Sequence, residues 1–284
     1  MIPVFYDPRQ VAKDNISTSP SAGKPAEVVA SWQAAKFPIV IRGVKPVTVE
    51  DFHRAHDPDH VDDVLSCRRA NGFGNKLPSV AASLPWTSGS MLTAARFLVR
   101  GGGLVAVSPT SGFHHASYRT CEGFCTFNGL MVTVLALRAD GFSGRIGILD
   151  LDEHYGNGTA DILEKSGESN VEHYTFGGEG IYRGDGDRWV KQLPQIMRTF
   201  AGCSLVLYQA GADPHEHDPF SRGILSDAHL LQRDRTVFSW LHAMRIPVVW
   251  NLAGGYQTPL RKVLNIHDNT MRACVEVYSG SESG

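Results

Sequence analysis

The segment RIGILDLDEHYGNGTADIL, residues 145–163, decides the predicted fold. It begins with apolar residues, as a buried parallel strand does. Asp150, Asp152 and His154 then follow at alternate positions, and alternate side chains of an extended chain point to the same side. We therefore expect Asp152 and His154 to converge on one cation, with Asp150 directly below them. Residues 156–159 suit a turn and the start of a helix, so these groups sit where open α/β sheets carry their ligands.

Outside this segment, short apolar runs alternate with helical patterns, which indicates an α/β fold with a mainly parallel sheet covered on both faces. Residues 79–90 are small and polar without a clear period, and we assign no helix to them. We expect a single domain over residues 1–284. The predicted strands cover residues 3–6, 38–41, 104–107, 146–150, 171–175, 204–209 and 247–250. The predicted helices cover residues 26–35, 91–100, 127–137, 189–200, 226–244 and 258–277, with short ones after residues 48, 57 and 159.

Composition excludes several classes of protein. The net charge is −2 and no basic run occurs, so we expect no nucleic-acid partner. No apolar run approaches about 18 residues, which argues against a membrane span. The five cysteines have neither disulfide nor metal-site spacing, and the first residues do not read as a secretion signal. We therefore predict a cytoplasmic protein without a membrane partner, for which an oligomeric state stays open.

Polar chemistry follows four of the predicted strands. His114 and His115 follow one strand, the 150–154 group follows another, and Asp213 and Tyr256 follow two more. Parallel strands end at one edge of a sheet, so these groups should meet there. Two carboxylates and an imidazole make three protein ligands and leave a coordination position open, as in catalytic zinc sites. Zinc brings the pKa of bound water from about 15.7 toward about 7.

Five motifs in this order resemble those of the zinc-dependent histone deacetylase family, which includes bacterial acetylpolyamine amidohydrolases. The matching stretches are GFHHA at 112–116, GFCTFN at 123–128, DLDEHYGNGT at 150–159, AGADPHEHDP at 210–219 and LAGGY at 252–256. Five ordered motifs are far more specific than a lone DxDxH. The resemblance implies the three-layer α/β/α fold of arginases and deacetylases. It also implies hydrolysis of acetyl or related acyl groups on lysine side chains or similar small amines.

The resemblance also implies the metal ligands. Asp152, His154 and Asp213 would bind zinc, with ferrous iron as the alternative ion. A structural potassium ion would use Asp150, Asp152 and His154, partly through backbone carbonyls, and its remaining ligands would come from about residues 173–175.

The catalytic roles that the resemblance implies fall on five residues. His115 would be the general base and then the general acid, while His114 would be an electrostatic partner held by Asp150. Tyr256 would donate a hydrogen bond to the tetrahedral oxyanion. Asn157 would contact His115 where class I enzymes carry an aspartate, so His115 should be less basic than in those enzymes.

The substrate would be an acylated lysine peptide or a small acylated amine. Phe124, with Gly123, would form one wall of the tunnel for the acyl-lysine stem. Phe220 stands where the polyamine-selective eukaryotic member carries a glutamate, which lowers the ranking of a polyamine substrate. The stretch SPTS at 108–111 replaces the usual RPP before the paired histidines.

Three alternatives are weaker. A dimanganese ureohydrolase of the arginase type needs a further bridging acid where Gly156 stands. A non-catalytic acyl-lysine-binding module would be expected to lack part of the site, and a serine hydrolase lacks its GxSxG motif. The acids and histidines within residues 53–63 favour a solvated helix face over a second metal cluster.

Overall fold

The computed structural model describes residues 1–279, so the last five residues of the predicted domain, 280–284, lie outside the described residues. Its centre is a seven-stranded sheet in the order β2-β1-β3-β7-β6-β4-β5, and every pair of neighbouring strands is parallel. The strands are β1 Ile2–Phe5, β2 Ile39–Arg42, β3 Val105–Val107, β4 Ile146–Asp150, β5 Val171–Thr175, β6 Leu205–Gln209 and β7 Val248–Asn251. The predicted parallel α/β fold is confirmed.

Helices cover both faces of this sheet. They are α1 Lys24–Ala34, α2 Val49–Ala55, α3 Pro58–Leu65, α4 Pro78–Val99, α5 Gly129–Ala139, α6 Asn157–Ser166, α7 Gly186–Met197, α8 Asp227–Ala243 and α9 Arg261–Tyr278. Alternate residues of β6 enter different cores: Val206 and Tyr208 pack with side chains from α1, α7, α8 and α9. Leu205 and Leu207 pack with side chains from α2 to α6. The sheet is therefore the middle layer of three.

The segment 79–90, to which the sequence analysis assigned no helix, is the first half of the 22-residue helix α4. Its apolar period is weak because serines occupy buried positions. The hydroxyl of Ser90 donates to the carbonyl of Phe5 at 2.6 Å and lies 2.8 Å from Ser108 Oγ, so the buried polar atom is satisfied. A helix can therefore run through this segment without an apolar stripe.

The interpretation of residues 53–63 as a solvated face is wrong for two histidines. His56 and His60 are fully buried and lie against the ring of Phe127. His56 Nδ1 donates to the carbonyl of Ser117 at 2.9 Å, and its Nε2 accepts from the amide of Asn128 at 2.9 Å. Both ring nitrogens are paired, which is how an imidazole becomes stable in the core.

Two further expectations concern the whole chain. No helix within residues 1–279 has both the length and the apolar content that crossing a membrane requires. All five cysteines lie within the described residues and carry free thiols.

Candidate active site

The strand ends that carry polar residues are neighbours in the sheet, because β3, β7, β6 and β4 follow one another. Asp152 and His154 follow β4, which ends at Asp150, and Asp213 follows β6. A turn rather than strand alternation brings the first two together: the amide of His154 donates to Asp152 Oδ1 at 3.0 Å. One potential ligand atom from each of Asp152, His154 and Asp213 lies within 4.8 Å of the others.

This triad is held from several sides. Asp152 and Asp213 are buried and His154 is partly exposed. His154 Nδ1 lies 3.2 Å from Asp152 Oδ1 and 3.2 Å from Asp213 Oδ2. The amide of Gly254 donates to Asp152 Oδ2 at 2.8 Å, and the amide of Glu153 donates to Asp213 Oδ1 at 3.3 Å. The two carboxylates are thus fixed by backbone donors.

The donor set fits a divalent cation. Within the described part of the chain, Asp213 Oδ2 is buried and has no hydrogen-bond partner despite its proximity to His154. Burial and the adjacent charge of Asp152 raise the pKa of Asp213 to about 7. Two neighbouring buried carboxylates are costly unless a positive charge compensates them. A cation bound by one nitrogen and two oxygen ligands would provide that charge.

The paired histidines differ in their surroundings. His114 is buried, and its Nδ1 donates to Asp150 Oδ2 at 2.6 Å. Burial opposes its charged form, but Asp150 and Asp152 outweigh burial and raise the pKa of His114 to about 9. His115 Nδ1 lies 2.6 Å from Asn157 Oδ1, and burial together with the nearby His114 lowers the pKa of His115. At neutral pH, His114 is therefore a cation and His115 is a neutral imidazole able to accept a proton.

Tyr256 lies after β7, between two aromatic rings. Its ring centroid is 5.6 Å from that of Phe124 and 5.0 Å from that of Phe220. Its amide donates to Asp218 Oδ2 at 2.7 Å. Burial, followed by the charges of Asp213 and Asp152, raises the pKa of Tyr256 above its usual value. The hydroxyl therefore stays protonated and can donate a hydrogen bond near the triad.

Predicted site residues also line an open depression over the triad. They are His115, Gly123, His154, Asn157 and Phe220. Tyr155 and three charged residues that the sequence analysis did not select line the same depression: Glu122, Glu153 and Arg222. Arg222 Nε donates to Glu153 Oε1 at 2.6 Å and neutralises that acid. The structure thus brings His115, Asn157, Gly123 and Phe220 to one opening, whereas Phe124 lines a different cavity.

Three buried residues that support the site were missed. The amide of Gln209 donates to Asp150 Oδ1 at 2.8 Å, and a polar residue at the end of an apolar strand was a readable signal. Arg233 on α8 donates from Nη1 to the carbonyls of Leu151 at 3.2 Å and Gly211 at 2.7 Å. These carbonyls lie in the two segments that carry the triad carboxylates.

Lys24 at the start of α1 supports the loop before Tyr256. Its Nζ donates to the carbonyls of Ala253 at 2.6 Å and Gly254 at 3.2 Å. Burial lowers the pKa of Lys24 to about 8, although the charges of Asp213 and Asp152 oppose that shift. A lysine far from the motifs in sequence gave no signal for this contact.

Comparisons with known proteins show what this chain is similar to. The family model described as the histone deacetylase domain matches residues 24–187 and 186–271 of this chain. A probable deacetylase of Methanothermobacter thermautotrophicus is 27% identical over 248 residues, which cover 73% of this chain and 71% of that protein. An acetylpolyamine amidohydrolase of Mycoplana ramosa is 25% identical over 210 residues, which cover 62% of this chain and 60% of that protein.

A solved structure shares the fold. The crystal structure titled HDA15 HD domain matches with a TM-score of 0.78 at 20% sequence identity. The match covers 98% of this chain and 91% of that chain.

Proposed function

Because this chain belongs to the histone deacetylase family, we propose that it is a zinc-dependent amidohydrolase that removes acetyl or related acyl groups from lysine side chains or similar amines. The observation that carries the proposal is the convergence of Asp152, His154 and Asp213, with a buried carboxylate oxygen that lacks a partner among the described residues. The neutral His115 beside this triad supplies the base that hydrolysis needs.

Asp152, His154 and Asp213 would hold the metal ion, which when bound supplies a Lewis acid and lowers the pKa of water. His115 then takes a proton from the attacking water and returns it to the leaving amine. His114 stays protonated against Asp150 and stabilises negative charge in the site. Tyr256 donates its hydroxyl proton as a hydrogen bond to the oxyanion that forms on the substrate carbonyl.

The substrate ranking rests on the two phenylalanine rings beside Tyr256. Phe124 and Phe220, which flank Tyr256, provide apolar surface for an alkyl stem. Phe220 offers no charge for a second ammonium, so an acylated lysine ranks above an acetylated polyamine despite the amidohydrolase relative. A screen of acylated lysine peptides and acetylated polyamines, with bound metal measured in parallel, separates the two. The cytoplasmic location, like the single domain, stays a prediction.

We also propose a potassium site at Asp150, Asp152 and His154, partly through their backbone carbonyls. Asp150 pairs with Thr175 in the register of β4 and β5, which brings the end of residues 173–175 beside it. The dimanganese alternative is not favoured, because residues 1–279 contain a single group of three metal-competent side chains within ligand distance.

Metal removal tests the proposed function. Protein stripped with a chelator and then dialysed should lose turnover of a fluorogenic acetyl-lysine peptide, because water is then no longer activated. Addition of one zinc ion per chain should restore the turnover, with metal measured by mass spectrometry. Full activity in metal-free protein would contradict the proposal. About two metal ions per active chain would favour the dimanganese ureohydrolase instead.

Gly254→Ala tests the packing around the triad. A Cβ at position 254 would lie 2.2 Å from Asp213 Oδ2, and that buried carboxylate has no room to withdraw. We expect zinc affinity to fall about 10- to 100-fold, as when groups that orient metal ligands are disturbed. Competition with a chromophoric chelator measures the affinity.

Gly43→Ala is the matched control for Gly254→Ala. A Cβ at position 43 would have no heavy atom within 4 Å in the described structure. The control should bind zinc as the unsubstituted protein does. Equal affinities in all three proteins would show that Asp213 does not hold the ion.

A further inference from the structure

Glu122 is an acid that the proposed mechanism leaves unused. It lies at the opening of the site and lines the same depression as His115 and Asn157. The side-chain amide of Asn157 donates from Nδ2 to Glu122 Oε1. The other end of that amide, Oδ1, lies 2.6 Å from His115 Nδ1. A carboxylate, an amide and an imidazole thus form one chain of hydrogen bonds.

The backbone that carries Glu122 is held against His115. Gly123 and Phe124 have φ angles of 54° and 63°, a left-handed turn that folds residue 122 back toward the opening. The amide of Cys125 donates to the carbonyl of Glu122 at 2.8 Å. A Cβ at Gly123 would lie 2.3 Å from His115 Cδ2, so the turn rests directly on the imidazole. Glu122 is therefore placed by a fixed turn even though its side chain is exposed.

This chain of hydrogen bonds settles which way the amide faces. A carboxylate only accepts hydrogen bonds, so Asn157 turns its NH₂ group toward Glu122 and its oxygen toward His115. The oxygen also only accepts, which requires a proton on His115 Nδ1. His115 Nε2 then carries the lone pair that a general base needs. A hydrogen bond to a charged acceptor also polarises the amide and makes its oxygen a stronger acceptor.

We propose that Glu122 is a positioning residue that acts through Asn157 to hold His115 in the Nδ1-protonated form and to stabilise its imidazolium. This inference deepens the proposed function and rests on it. Glu122 supplies, through Asn157, the negative charge that an aspartate at position 157 would supply to His115 directly. A substrate that covers the depression would exclude water, and the interaction would then strengthen.

The test is a double-mutant cycle of Glu122→Gln and Asn157→Asp in the zinc-loaded protein, with a peptide that bears one acetyl-lysine and no charged group. Glu122→Gln alone should lower kcat about three- to tenfold, the difference between a charged and a neutral hydrogen bond, with KM unchanged. In the Asn157→Asp background two carboxylates face each other, so Glu122→Gln should raise kcat instead. Such a reversal of sign does not follow from a merely structural role.

Three kinetic outcomes would overturn the inference. The first is an equal loss of kcat from Glu122→Gln in both backgrounds, and the second is no loss in either. The third is an effect confined to KM, which would make Glu122 a substrate contact. Glu164→Gln is the matched control, because Glu164 is an exposed acid on α6, the helix in which Asn157 stands. It should leave kcat unchanged in both backgrounds.

A second measurement does not need turnover. Nitrogen-15 spectra of histidine-labelled protein should report His115 as the Nδ1-protonated tautomer, and Glu122→Ala should shift the population toward the Nε2-protonated form. An unchanged tautomer would overturn the inference. If the unsubstituted protein hydrolyses no acylated amine, the proposed function fails, while this spectrum still decides the role of Glu122.

Discussion

His115→Ala is expected to lower kcat by about 10²- to 10⁴-fold, the range in which a general base contributes. The imidazole of His115 lines the open depression, and burial with the neighbouring His114 holds its pKa below the usual 6.5. It is therefore an unprotonated base at neutral pH. For the same reason, the rate of the unsubstituted protein should begin to fall only when the pH drops below 6.5. Steady-state kinetics across pH, with zinc content measured alongside, gives both quantities.

His114→Ala should lower kcat less than His115→Ala does. His114 is buried and protonated against Asp150, so it stabilises charge but has no lone pair to offer. His53→Ala on α2 is the control, because His53 is partly exposed and lies outside the site. A larger loss from His114→Ala than from His115→Ala would mean that the two roles are reversed.

Tyr256→Phe is expected to lower kcat by about 10²- to 10³-fold, as removal of one oxyanion donor does. The substitution keeps the ring between Phe124 and Phe220 and removes only the hydroxyl. Zinc content should not change, because Tyr256 does not belong to the triad that would bind the metal. Turnover of the acetyl-lysine peptide and metal analysis on the same sample separate the two effects.

Tyr278→Phe on α9 is the matched control for Tyr256→Phe. Its hydroxyl lies 3.5 Å from the carbonyl of Phe238, away from the site, and its loss should leave kcat unchanged. An undiminished kcat for Tyr256→Phe would remove that hydroxyl from the mechanism.

The sheet could be predicted from the sequence because parallel strands that are buried on both faces consist of runs of apolar residues. β4, predicted and observed at residues 146–150 and buried at all five positions, is an example. The first half of α4 could not be predicted, because Ser90 is buried by hydrogen bonds that a sequence does not reveal. His56 was misjudged for the same reason: its two partners come from the segment after β3, 61 and 72 residues away in sequence.

The same limit applies to the site. The ends of apolar strands located Asp152, Asp213 and Tyr256, since each follows a run of buried residues. Glu122 and Lys24 have no such context, because their contacts depend on the φ angles of a turn and on how α1 packs. Candidate site residues at strand ends could therefore be predicted from the sequence, whereas the residues that support them become visible only in three dimensions.

Arg233 offers a way to alter the site from outside the depression. From α8, a helix that contributes no residue to the depression, its guanidinium group donates to the segments after β4 and β6. A substitution at this position would shift the segments that carry Asp152 and Asp213 while the residues that line the depression stay unchanged.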